Sequence, residues 1–109
     1  MAEEKTTATA SAIVWNEKER KFETADREAY LEYKVRGDGG KVMDITHTYV
    51  PPSKRGSGVA GRLCAAAFSH ALNRSMSVIP TCSYASGTYL PQNPNWNSIL
   101  FQEGVKSRL

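Results

Sequence analysis

The sequence predicts an α+β fold, a sandwich of one central helix on a mixed, mostly antiparallel sheet, with the helix following a glycine-rich turn. Three observations carry this. The first half offers short β-forming runs separated by polar or glycine turns. The stretch Lys54-Arg55-Gly56-Ser57-Gly58-Val59-Ala60-Gly61 then breaks the pattern, directly after Tyr49-Val50-Pro51-Pro52. An alanine-rich segment, Arg62 to Asn73, follows without Gly or Pro, and after it a short run from Met76 to Pro80. With 109 residues there is room for one domain around one core.

The elements follow in order. Residues 1–10 read as a disordered tail and 11–109 as the single domain. Ala12 to Trp15 is a short strand, Asn16 to Glu19 a polar turn, and Arg20 to Thr24 the partner strand. Ala29 to Arg36 alternates, with Tyr30 and Glu32 on one face and Leu31, Tyr33 and Val35 on the other, the period of a half-buried strand. Gly37-Asp38-Gly39-Gly40 is a hairpin turn. Lys41 to Val50 returns, with Val42, Asp44, Thr46, Thr48 and Val50 expected on one side and Met43, Ile45, His47 and Tyr49 on the other. Pro51-Pro52 ends strand pairing, since neither residue can donate an N–H.

Ser57 is a candidate cap for the next helix. On that helix Val59, Leu63, Ala67 and Ala71 form one stripe and Ala60, Cys64, Phe68 and Leu72 its neighbour, together an apolar face for packing on a sheet. Met76 to Pro80 is too short for a helix. A strand–helix–strand order sets it parallel to Lys41–Val50. Residues 83–94 read as loop or short helix, and Asn95 as the cap of a final helix from Trp96 to about Val105.

Composition narrows the function. No apolar run approaches a membrane span, and the N-terminus lacks the apolar core of a signal peptide. Two cysteines, Cys64 and Cys82, do not make a disulfide framework, so reduced thiols in the cytoplasm or nucleus are expected. The formal net charge of +3 hides an asymmetry: residues 1–44 hold 10 of the 11 carboxylates, and the 58 residues from Ile45 to Gln102 hold none. A carboxylate-free stretch centred on the glycine turn suits a polyanionic ligand. Nucleic acid is disfavoured despite a pI near 9.0, because no basic cluster or nucleic-acid module is present.

Several readings compete for the turn itself. Gly56-Ser57-Gly58-Val59-Ala60-Gly61 matches GxGxxG, but no acidic residue follows near position 80 to hold a ribose, and antiparallel strands precede it. A P-loop requires Gly-Lys-Ser/Thr, which is missing. A turn that merely caps a helix is the plain structural alternative. The remaining pattern is Arg/Gln-x-x-Gly-x-Gly/Ala, met by Arg55-Gly56-Ser57-Gly58-Val59-Ala60.

That pattern, the element order and four strings together resemble the GNAT superfamily of acyl-CoA N-acyltransferases. The strings are His47-Thr48-Tyr49-Val50-Pro51, Arg55 to Ala60, Thr81-Cys82-Ser83-Tyr84 and Asn93-Pro94-Asn95-Trp96, and they look like its minimal subfamily from plants and other eukaryotes. The similarity spans about residues 12 to 105. It implies an N-acetyltransferase that takes acetyl-CoA and an amine-bearing acceptor such as a protein lysine or small polyamine. The alternative class is a non-catalytic CoA-binding or interaction module. A monomer or weak dimer with no membrane partner is expected.

By the same resemblance, the backbone of His47, Thr48, Tyr49 and Val50 would run along the pantetheine and acetyl groups. The amides of Arg55, Gly56, Ser57, Gly58, Val59 and Ala60 would hold the pyrophosphate, and Ser83, Tyr84, Tyr89 and Asn93 would complete the cofactor site. Acyl transfer to an amine needs a base and an acid. Without carboxylates between Ile45 and Gln102, the candidates are Cys82, Tyr84, Tyr89 and His47, and the resemblance points to Cys82. A free thiol titrates near pH 8.5, so a modest shift would make it usable. His47, His70 and the cysteines lack metal-ligand spacing, so no metal is expected. The family's helices between its first two strands have no room here, which leaves the acceptor groove open or completed by a partner.

Overall fold

The computed structural model describes residues 12–101. The proposed tail and the last residues of the expected C-terminal helix lie outside that range. Five strands form one sheet in sequence order: β1 (Ile13–Asn16), β2 (Lys21–Thr24), β3 (Tyr30–Arg36), β4 (Val42–Tyr49) and β5 (Ser77–Pro80). The first four pair antiparallel and β5 pairs parallel to β4. Helix α1 (Val59–Asn73) covers one face. Its buried Val59, Leu63, Cys64, Ala67, Phe68 and Ala71 pack with Leu31, Tyr33, Met43, Ile45 and Val78 in one core. Leu72, expected on the apolar face, is 52% exposed and lines a surface depression with Pro94 and Trp96 instead of entering the core.

Glycine geometry sets the β3–β4 turn. Gly37, Gly39 and Gly40 have positive φ, and the turn closes with Gly40 N–H donating to Gly37 O at 3.0 Å. Further on, the register changes. Leu31 faces Thr48 and Glu32 faces His47, but Tyr33 faces Ile45, so Thr46 is an extra residue on β4. A bulge of this kind breaks period-two alternation. Met43 and Ile45 are in the core, whereas His47 and Tyr49 are exposed beside Tyr30, with ring centroids at 6.0 and 5.7 Å from it. The four residues expected on one side of β4 therefore divide between two faces.

Buried Asp44 ties the sheet where β4 and β5 begin to part. It accepts from Arg36 Nε at 2.7 Å and from Thr81 Oγ1. Beyond β5 the chain forms a π-helix, Ala85–Tyr89, then a turn α2 (Leu90–Gln92) and a 3-10 helix, Pro94–Ile99. The expected final helix does not continue. Leu100 is extended and bridges Val78, and Phe101 N–H donates to Val78 O at 2.8 Å, covering the outer edge of β5. Pairing that edge satisfies backbone groups that a longer helix would leave bare.

Candidate cofactor and transfer site

The β4–β5 ladder runs from Val42↔Ser77 to Ile45↔Pro80 and stops. One more bond, Cys82 N–H to Ile45 O at 2.8 Å, follows. β4 continues to Tyr49, so its Thr46–Tyr49 segment leaves an edge that β5 does not cover. At the open end of this fork lies a cavity of about 230 Å³ lined by Val50, Lys54, Arg55, Gly56, Gly58, Val59, Ala60, Gly61 and Tyr84.

The glycines shape its floor. Gly56 and Gly58 have φ of 87° and 80°, a left-handed conformation that disfavours any side chain. Gly58 is the N-cap of α1 and offers no side-chain acceptor. Ser57, expected to cap, instead donates its hydroxyl to Lys54 O at 2.8 Å. The first turn of the helix thus keeps its N–H groups unpaired: among the described residues the amides of Gly56 to Gly61 have no backbone acceptor, and Arg62 N–H is the first to find one, at Gly58 O. Unpaired amides and the helix dipole together favour an anion.

Cations surround them. Arg55 Nε donates to Val50 O at 3.0 Å, bracing the turn against the end of β4 while the side chain stays exposed. Arg62 Nη1 donates to Ser57 O at 3.2 Å. Lys54 is held by Asp26 at 2.6 Å and Glu28 at 3.8 Å. The Asp26 carboxylate, accepting from the Lys54 ammonium, raises the Lys54 pKa, and the same contact holds the Asp26 carboxyl well below the usual carboxylate range.

Cys82 lies at the crotch of the fork. It is buried, and its thiol donates to Thr48 Oγ1 at 3.4 Å. Cys64, also buried and unpaired, is pushed up to about 12 by burial and is an inert packing group. Tyr84 is half-buried; burial raises its pKa, so its hydroxyl stays protonated. That hydroxyl lies over the first turn of α1, 3.7 Å from where a Cβ would stand at Gly61.

The structure gathers Val50, Arg55, Gly56, Gly58, Val59, Ala60 and Tyr84 of the sequence-predicted residues, with Thr48 and Cys82 at the fork. Ser83 opens the following helix and is exposed. Two others stand apart. Tyr89 is buried, its ring 5.6 Å from Phe68 and its hydroxyl accepting from Trp96 Nε1 at 3.0 Å. Asn93 donates to Tyr89 O at 2.9 Å and lines a separate depression with Leu72, Pro94 and Trp96. His47 and Tyr49 present only backbone to the fork side of the sheet; the bulge turns their side chains away. Lys54, Gly61 and Arg62 were missed, although the same glycine turn flagged their neighbourhood.

Among the described residues no cluster of potential metal ligands occurs, and no helix is long and apolar enough to cross a membrane. A family model for the GCN5-related N-acetyl-transferases matches residues 20–99. The chain belongs to that family of N-acetyltransferases, and the enzymes of this family generally use acetyl-CoA. The NMR structure of a GCN5-like protein from Staphylococcus aureus has the same fold, with a TM-score of 0.65 at 23% identity over 84% of this chain and 89% of that one.

Proposed function

We propose that this chain is an acetyl-CoA-dependent transferase that acetylates a primary amine, and that it belongs to the minimal subfamily indicated by its four strings. The observation that carries the reading is the fork: β4 runs on past the last β5 pair, beside a cavity floored by unpaired helix amides. The residues present fit the cofactor. Free N–H groups, Arg55 and Arg62 suit a diphosphate, and the uncovered edge of β4 suits an amide-bearing arm that hydrogen-bonds as an extra strand. The bound cofactor supplies an acetyl thioester.

The chain's own residues do the rest. The amides of Gly56 to Ala60 bind and neutralise the diphosphate, each hydrogen bond to a charged oxygen contributing about 1.5–3 kcal/mol. Backbone N–H groups near Val50 can donate to a carbonyl oxygen held at the fork. Cys82 Sγ, paired with Thr48 Oγ1, holds the proton for the sulfur that leaves, and Tyr84 Oη is a second donor at the same opening. The balance is simple: an N–C bond forms, a C–S bond breaks, one proton ends on sulfur and, for an acceptor arriving as ammonium, one goes to water. Reduced thiols suit a cytoplasmic or nuclear setting.

Calorimetry with CoA, followed by thiol release from acetyl-CoA with a panel of amine acceptors, tests this. Binding in the micromolar range with acceptor-dependent thiol release is expected. Absence of CoA binding overturns the reading. Binding without release across the panel leaves a CoA-binding module and removes the enzyme.

A further inference from the structure

Asp44 is the last carboxylate before the 58-residue stretch that has none, and it is buried, 4% exposed, where the fork begins. A lone carboxylate at that depth is costly, and a buried ion pair adds little stability that apolar packing would not. What its two oxygens provide is direction. Oδ2 accepts from Arg36 Nε of β3 at 2.7 Å, and Oδ1 accepts from Oγ1 of Thr81, the residue before Cys82. With both oxygens engaged and the group out of solvent, Asp44 acts through Thr81 and not on an acceptor directly.

The backbone shows why the Thr81 bond matters. Pro80 is the last residue of β5 paired with β4, opposite Ile45, and has no N–H to extend the ladder. Thr81 N–H turns back to Ile79 O at 3.1 Å, a three-residue turn centred on Pro80, whose fixed φ suits it. The chain beyond β5 thus leaves parallel pairing and needs a new anchor. Two bonds to consecutive residues of β4 supply it: Thr81 Oγ1 to Asp44, and Cys82 N–H to Ile45 O at 2.8 Å. They fix Thr81 and Cys82 relative to β4, and Cys82 Sγ then reaches Thr48 Oγ1 at 3.4 Å.

We infer that Asp44 is a positioning residue for the transfer step: through Thr81 it sets the line along which Cys82 Sγ points into the fork, and Arg36 fixes Asp44 in turn. This rests on the proposed transferase reading, in which Cys82 holds the proton for the departing sulfur. Proton transfer needs hydrogen-bond reach, and a misplacement of about 1 Å costs up to about 10²-fold in rate. Without the Thr81 bond, the hydrogen bonds recorded between this corner and β4 among the described residues are those of the Cys82 amide and thiol.

The test uses the full chain with acetyl-CoA and the better acceptor of spermidine and a lysine-bearing peptide. Thr81 is exposed, so Thr81→Val removes the hydroxyl at nearly constant shape with the fold intact. It is expected to lower kcat about ten- to hundred-fold at an unchanged KM for acetyl-CoA, and Thr81→Ser, which keeps the hydroxyl, to restore kcat. Asp44→Asn leaves one of its two donors facing an amide N–H and should match Thr81→Val; Thr81→Val decides alone if Asp44→Asn fails to fold. In a Cys82→Ala background neither change should lower kcat further, because residues that act on one group are not additive. Hydrogen exchange gives a readout independent of turnover: the Cys82 amide should exchange several-fold faster in Thr81→Val while β3 amides keep wild-type rates. Wild-type kcat in Thr81→Val, losses that multiply with Cys82→Ala, or an unmoved Cys82 amide removes this inference alone. Full kcat in Cys82→Ala, or no turnover of acetyl-CoA, removes the transferase role of Cys82 beneath it, and the positioning role with it.

Discussion

Cys82 Sγ donates to Thr48 Oγ1 across 3.4 Å, just beyond the point where the strands leading to them stop pairing. With the Thr81–Asp44 bond it is one of two side-chain bridges recorded between the parting β4 and β5 segments among the described residues. On the proposed transferase reading, this thiol passes a proton to the sulfur held along β4. Cys82→Ala is expected to lower kcat by about 10²-fold or more, the scale of general acid–base catalysis, with CoA affinity preserved. Stopped-flow thiol release beside calorimetry separates the two quantities. A mutant with full kcat would remove Cys82 from the chemistry.

Gly58 caps α1 at φ 80° with an open environment, the nearest atom to a new Cβ being Arg62 Nη1 at 3.7 Å. Gly58→Ala meets no clash, so its cost is conformational. Urea unfolding should show a loss of about 1–2 kcal/mol from the left-handed penalty. CoA affinity should fall further than stability alone explains, because on the proposed reading the substitution re-aims the amides that would hold the diphosphate.

Tyr89 and Tyr84 separate by their surroundings. Tyr89→Phe removes the acceptor for Trp96 Nε1 in the core, and a destabilisation of about 1–3 kcal/mol is expected. Its CoA affinity should match wild type. Tyr84→Phe should do the reverse, weakening activity with little change in the unfolding midpoint, since among the described residues its hydroxyl has no recorded hydrogen bond.

His70 on α1 packs its ring 4.3 Å from Trp15 and 5.4 Å from Phe22. Burial first, then the Arg74 charge, lowers its pKa below 6.5, against a smaller opposing pull from Glu17. A depressed folded pKa means the unfolded chain takes the proton more readily. The stability contribution is therefore complete above pH 6.5 and drains as pH falls towards the folded value. Urea midpoints measured from pH 7.5 to 5 should decline in wild type and decline less in His70→Phe, which keeps the aromatic contacts and cannot titrate. Parallel slopes would contradict this.

Local chemistry was enough for much of this. Strand β3 shows itself in the alternation of Leu31, Tyr33 and Val35, α1 in stripes four residues apart, and the turn between β4 and α1 in glycines that alone tolerate φ near +80°. Each depends on residues close in the chain, so the sequence by itself determined those elements, their order and the glycine-opened start of the helix.

Non-local pairing decided the rest. The extra residue Thr46 exists only relative to β3, and it sends His47 and Tyr49 to the face away from α1, beside Tyr30. Leu100 leaves the expected helix because the edge of β5 offers it a partner. Tyr89 became a core residue and Tyr84 a cavity residue because packing against Phe68 and Trp96 consumes one hydroxyl and spares the other. Side-chain period is a property of one segment, whereas which face is buried and which strand edge stays bare are set by segments far away in sequence, and only folding brings them together.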